Sequence, residues 1–131
     1  MSTEQQPIQL LTHSNQGDII KVKTREGEKV GSVHSFLINK RTGQTVYVVL
    51  TIGGFLGMGK AYYPLPFSLL AFDPAADIYI VRIDRRALEG GPSWAANPPL
   101  FDQAYANRLA SYYGTPLEDL SLGAGQAEIS L

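Results

Sequence analysis

Between residues 53 and 66 the chain reads Gly53-Gly-Phe-Leu-Gly-Met-Gly-Lys-Ala-Tyr-Tyr-Pro-Leu-Pro66, an apolar loop carrying four glycines between two strand-like runs. Glycines at this density let the backbone turn sharply and reach positive φ. Phe55, Leu56 and Met58 are side chains that a solvated loop avoids, because each forgoes roughly 1.5–3 kcal/mol of burial free energy when left in water. The pattern predicts a corner that packs on a neighbour, either the domain's own core or a second chain.

A chain of 131 residues suits one domain with a short extension. Its 11 basic and 12 acidic residues nearly cancel, so bulk attraction to nucleic acid or anionic lipid is not expected. The two basic groups, Lys21, Lys23, Arg25 with Lys29 and Arg82, Arg85, Arg86, are diluted by Glu26, Glu28 and Asp84 and read as solvated strand edges. Lack of cysteine excludes disulfides, thiolate catalysis and thiolate metal sites, and fits a reducing compartment. The first nine residues lack the basic start and apolar core of a signal peptide, and no apolar run is long enough to span a bilayer. A soluble, cytoplasmic protein with no direct membrane insertion is the expectation.

Residues 1–16 are polar and aperiodic, a flexible N-terminal arm. Strands are predicted over 18–23, 30–39, 44–52, 61–65, 69–72 and 78–83, by β-branched content and by intervening turns with Gly, Pro or Asp. The second and third, joined by Lys40-Arg-Thr-Gly43, form an antiparallel hairpin. Strict alternation turns Val46, Val48, Leu50 and Ile52 to one face and Tyr47, Val49 and Thr51 to the other, and on the second strand sets Val33 and Leu37 against Phe36 and Ile38. With both faces apolar, the hairpin requires cover on both sides. Six short strands predict a mainly β fold, a small, strongly bent antiparallel barrel.

Asp84 is placed to cap one helical turn through Leu88, which Glu89-Gly-Gly-Pro92 ends. Residues 95–131 comprise a linker, an amphipathic helix and a tail. Phe101, Tyr105, Leu109 and Tyr112 make the helix stripe, with Asp102 near its start and Gly114 and Pro116 closing it. Trp94 is expected to pin the linker to the barrel.

No catalytic, cofactor or metal site emerges. His13 and His34 lack metal-ligand companions, no nucleophile sits in a strand-turn-helix elbow, and the four glycines fit neither the P-loop nor the dinucleotide fingerprint, since Tyr62-Tyr63-Pro64 is strand-like. Asp73, Asp77 and Asp84 lack the spacing of a calcium loop.

Gly31-Ser-Val-His-Ser-Phe-Leu-Ile-Asn39, the Thr42-Gly43 turn, Tyr47-Val-Val-Leu50, Gly53-Gly-Phe-Leu-Gly-Met-Gly59 and Tyr63-Pro-Leu-Pro-Phe67 together resemble the PRC-barrel family. Ala87-Leu88 and Pro92-Ser-Trp94 agree with the way such domains finish, so the resemblance covers residues 17–94. The segment from Asn97 onward is similar to extensions on bacterial stand-alone members. The resemblance implies a small bent β-barrel of the kind in the photosynthetic reaction centre H subunit and in the ribosome maturation factor RimM, whose shared property is binding other macromolecules. Where many members carry acidic residues on the second strand, this chain has His34, Ser35 and Asn39. Without the H subunit's transmembrane helix and RimM's additional N-terminal domain in these 131 residues, neither of those specific functions is expected to transfer.

These readings converge on a non-catalytic protein-interaction module, an adaptor or assembly element that self-associates as a homodimer. Its expected contact surface is Phe36, Ile38, Tyr47 and Val49 on the hairpin with Phe55, Leu56 and Met58 in the glycine loop. Two alternatives stand beside it: an assembly or maturation factor for a ribosomal or photosynthetic complex, and a small-ligand barrel using a pocket near Tyr62, Tyr63 and Phe67.

Overall fold

The β-branched run that predicts the strongest strand sits inside a six-stranded sheet. The computed structural model describes residues 10–12, 20–53 and 59–120. Its strands are β1 (Lys21–Thr24), β2 (Lys29–Ile38), β3 (Thr45–Ile52), β4 (Ala61–Pro66), β5 (Leu70–Asp73) and β6 (Ile78–Val81), with α1 (Arg85–Glu89) and α2 (Gln103–Tyr113) following. The sheet order is β4-β3-β2-β1-β6-β5, a half-barrel in which β4 and β5 are the outer strands. The short 3₁₀ turn Phe67–Leu69 leads from one of these edges to the other.

The fold is mainly β with a helix near the C-terminus, as the sequence predicts, and one pairing departs from the antiparallel pattern. β1 and β6 run parallel, with Val22 opposite Tyr79 and Thr24 opposite Val81. β1 therefore has hydrogen-bonded neighbours on both sides, and its Val22 and Thr24 are almost wholly buried. The Thr24 hydroxyl is not stranded there, since it accepts a 3.1 Å hydrogen bond from the Glu28 N–H across the turn.

The main core gathers Val22, Val33, Val48, Leu50, Leu65, Val81 and Leu88 on one face of the sheet. β2 reaches it through a register shift between Val33 and Ser35. An extra residue in one strand resets the alternation beyond it. Phe36 consequently packs against the same core as Val33, whereas strict alternation placed it on the opposite face with Ile38. Gly31 lets β2 cross close to β3, for a Cβ there would lie 2.2 Å from the Thr51 carbonyl oxygen.

The other face of β3 is covered by this chain's own C-terminal helix. Tyr47 packs with Tyr105, Ala106 and Leu109 in a second core, which Leu37, Val46, Phe101 and Leu120 border. Asp102 caps α2 by accepting from the Tyr105 N–H at 2.9 Å, and Gly114 closes it in the left-handed conformation. Asp84 does the same for α1, accepting from the Ala87 N–H at 2.7 Å. The predicted stripe is rotated slightly at its end: Tyr113 packs against both cores, while Tyr112 remains 45% exposed.

Candidate functional site

The end of the β2–β3 hairpin and the start of α2 meet at one corner, and a chain of aromatic rings holds them there. Trp94 forms an isolated bridge to Tyr62 through backbone hydrogen bonds of 2.8 and 3.0 Å, and the two rings stack at 5.9 Å. Trp94 meets Phe101 edge-on at 5.9 Å, and Phe101 in turn meets Tyr105 at 4.9 Å and Tyr47 at 6.1 Å. The linker is thereby fixed to the outer edge of β4, and Trp94 serves as its anchor, as the sequence suggests. Such ring pairs contribute about 0.5–1.5 kcal/mol each beyond the area they bury.

On the hairpin side, Asn39 builds the turn. Its side-chain oxygen accepts from the N–H groups of Arg41 and Thr42 at 2.8 and 3.3 Å, and the Gly43 N–H donates to its carbonyl at 2.7 Å. Lys40 is exposed at the tip. Gln103, in the first turn of α2, fastens the segment that follows the helix. Its amide nitrogen donates to the Glu118 carbonyl at 2.7 Å, and its amide oxygen accepts from the Leu120 N–H at 2.8 Å.

Two grooves flank Tyr47 as a result. One, of about 300 Å³, is lined by Leu37, Ile38, Val46, Phe101 and Leu120, with Asn39 and Lys40 its polar members. The other, of about 270 Å³, lies between Thr45, Pro66, Phe67 and the 115–118 segment, with Glu118 at its side. Ile38 is 47% exposed, and Leu100 and Leu117, neighbours in sequence of groove-lining residues, are 79% and 69% exposed. Burial pushes the Tyr47 phenol up to about 12, and the nearby Glu118 carboxylate adds to the shift.

The structure distributes the sequence-derived contact residues unevenly. Ile38 lies on the exposed surface of the first groove. Tyr47 and Val49 are 4% and 2% exposed, so side chains expected to face a partner are buried within this chain. Phe36 is turned into the main core by the β2 register shift. Phe55, Leu56 and Met58 lie outside the described residues. The contributions of Leu37 and Leu120 were not legible, because Leu37 changes face through the register shift and Leu120 is brought back to α2 by a bond to Gln103 seventeen residues earlier and by packing on the Tyr47 core.

His34 is exposed, hydrogen-bonds its sequence neighbour Ser35 at 3.1 Å and meets Tyr62 edge-on. Among the described residues no group of three or more His, Asp or Glu side chains could hold a metal ion. Nor, among them, is any helix long and apolar enough to cross a membrane.

A curved sheet ending in a capped helical turn, with an apolar corner beside the C-terminal helix, defines a small β-module. The sequence model of the PRC-barrel domain matches residues 20–88, from the start of β1 to the buried Leu88 of α1, and the chain belongs to that family. No curated protein matches it. α2 and the aromatic linker lie beyond the matched segment.

Proposed function

We propose that this chain is a non-catalytic protein-interaction module of PRC-barrel type, an adaptor or assembly element that self-associates. The observation that supports this reading is the apolar corner around α2, where exposed Ile38 lines a groove with Leu37, Phe101 and Leu120, and exposed Leu100 directly precedes Phe101. Burying one such side chain contributes up to about 1.5–3 kcal/mol, so the corner favours a protein surface over water. The α2 face that packs on Tyr47 is already satisfied within the chain, which leaves the rim of the helix as the contact area.

Ile38→Asp and Leu100→Asp variants test the reading. Both positions are exposed, so the fold should survive while the corner becomes charged. The expected outcome is loss of a defined protein partner, or of the second copy, in affinity purification from the native host and in sedimentation. Unchanged association by both variants overturns it.

A further inference from the structure

We infer that the groove beside α2 receives the Leu10–Leu11 segment of a second copy of this chain, an inference that rests on the self-association reading above. Leu10 and Leu11 are 74% and 80% exposed, so neither is seated in a groove of its own chain. The groove they would enter is lined by Leu37, Ile38, Phe101 and Leu120, with Lys40 at its rim. Two adjacent leucines left in water are costly, and an apolar groove of about 300 Å³ has room for such side chains.

Charge supports the match. Residues 1–20 contain Glu4 and Asp18 but no lysine or arginine, whereas Lys40 is the charged residue of the groove. An arm with acidic residues on both sides of its leucines meets a rim of opposite sign. Length supports it as well: the residues numbered 12–19 tether Leu11 to Ile20 and can span up to about 30 Å. Two copies can then exchange arms about a two-fold axis, so that each groove holds the other's leucines and the second contact forms within an already joined pair.

Sedimentation of the full chain across a range of concentrations tests this, with the double variant Leu10→Asp/Leu11→Asp and the groove variant Ile38→Asp. The wild type is expected to dimerise, and each variant to raise the dissociation constant at least about tenfold, the effect of losing one buried side chain. Mixing the two variants should restore part of the association, because the mixed pair regains one of its two arm–groove contacts, the intact arm of one copy in the intact groove of the other. Circular dichroism matching the wild type verifies that both are folded. If the arm variant dimerises as tightly as the wild type while Ile38→Asp does not, the arm inference is overturned and the corner retains its role. A wild type that stays monomeric at every concentration overturns the second-copy occupant, and the host purification with Ile38→Asp then decides the interaction reading separately.

Discussion

The Tyr112 hydroxyl donates a 2.8 Å hydrogen bond to the carbonyl oxygen of Ala87, joining the last turn of α2 to the helical turn that ends the PRC-barrel match. Beside it, Tyr113 lies over the glycines that follow α1: a Cβ at Gly91 would come within 2.2 Å of the Tyr113 hydroxyl oxygen and 3.1 Å of Tyr112 Cε2. The helix that covers the hairpin is therefore seated against a backbone that only glycine makes flat enough. Sheet and helix form one packing unit through this contact.

Gly91→Ala should destabilise the protein by about 1–3 kcal/mol, the usual cost of forcing extra volume into a packed contact. Tyr113 cannot swing aside freely, because its ring packs against both cores. Its hydroxyl is buried without a hydrogen-bond partner among the described residues. Tyr113→Phe should accordingly be neutral or stabilising by about 1 kcal/mol. In the double variant the alanine cost should shrink, since the oxygen it would strike is gone. Urea unfolding of the four proteins closes this cycle, and an undiminished alanine cost would show that the contact is made elsewhere.

Alkaline pH should unfold the protein through its tyrosines. Tyr47 is held up to about 12 in the fold by burial and by Glu118, against about 10 in the unfolded chain. The folded state thus retains a proton that the unfolded state has released. This contribution is complete below about pH 10 and is lost as the pH rises through the folded value near 12. Burial raises Tyr79, Tyr105 and Tyr113 in the same direction, so Tyr47→Phe should lessen the alkaline loss without abolishing it. Urea midpoints followed from neutral to strongly alkaline pH would reveal this, and a Tyr47→Phe slope equal to the wild type would rule out the assignment.

Leu109→Ala should cost about 2–5 kcal/mol, because Leu109 is fully buried between α2 and Tyr47. Asp102→Ala removes a single capping bond and should cost nearer 1 kcal/mol. Both substitutions loosen the helix that covers the hairpin. Hydrogen exchange should therefore quicken in α2 and β3 together, while β1 and β6 retain protection in Asp102→Ala. Protection lost evenly across the sheet would mean that α2 does not move as a unit.

Local chemistry was legible in the sequence: Asp84, Asp102 and Gly114 announce helix ends by residue type, and the β-branched run of β3 announces its strand. What escaped was set by distant or cumulative geometry. The parallel pairing of Val22 with Tyr79 joins segments that carry no local mark of direction. Phe36 sits on the unexpected face because a register shift between Val33 and Ser35 breaks the period-two pattern, and polar His34 and Ser35 do not advertise which of them is the extra residue. Tyr113 replaces Tyr112 at the end of the stripe by a single helical step. The candidate corner was only partly visible for the same reason: Ile38 is apolar at a strand end, but the groove beside it also takes Phe101 and Leu120, which distant packing and the Gln103 bond bring there.

That strap makes the last prediction. Gln103→Ala removes the bonds to the Glu118 carbonyl and the Leu120 N–H, each contributing about 0.5–1.5 kcal/mol, and so frees the segment that carries both residues. Glu118 is the charge that adds to the upward shift of Tyr47, and Leu120 is part of the apolar border of its core. Releasing them should therefore lower the Tyr47 pKa toward its ordinary value, which carbon NMR of the labelled tyrosine rings resolves residue by residue. The Leu120 amide should exchange faster in the same variant, and arm-dependent dimerisation should weaken because one wall of the groove is gone. A Tyr47 titration that does not move would mean that the sheet and α2 alone set its environment. In that case the groove wall and the tyrosine are independent, and the strap serves only to close the chain against the helix.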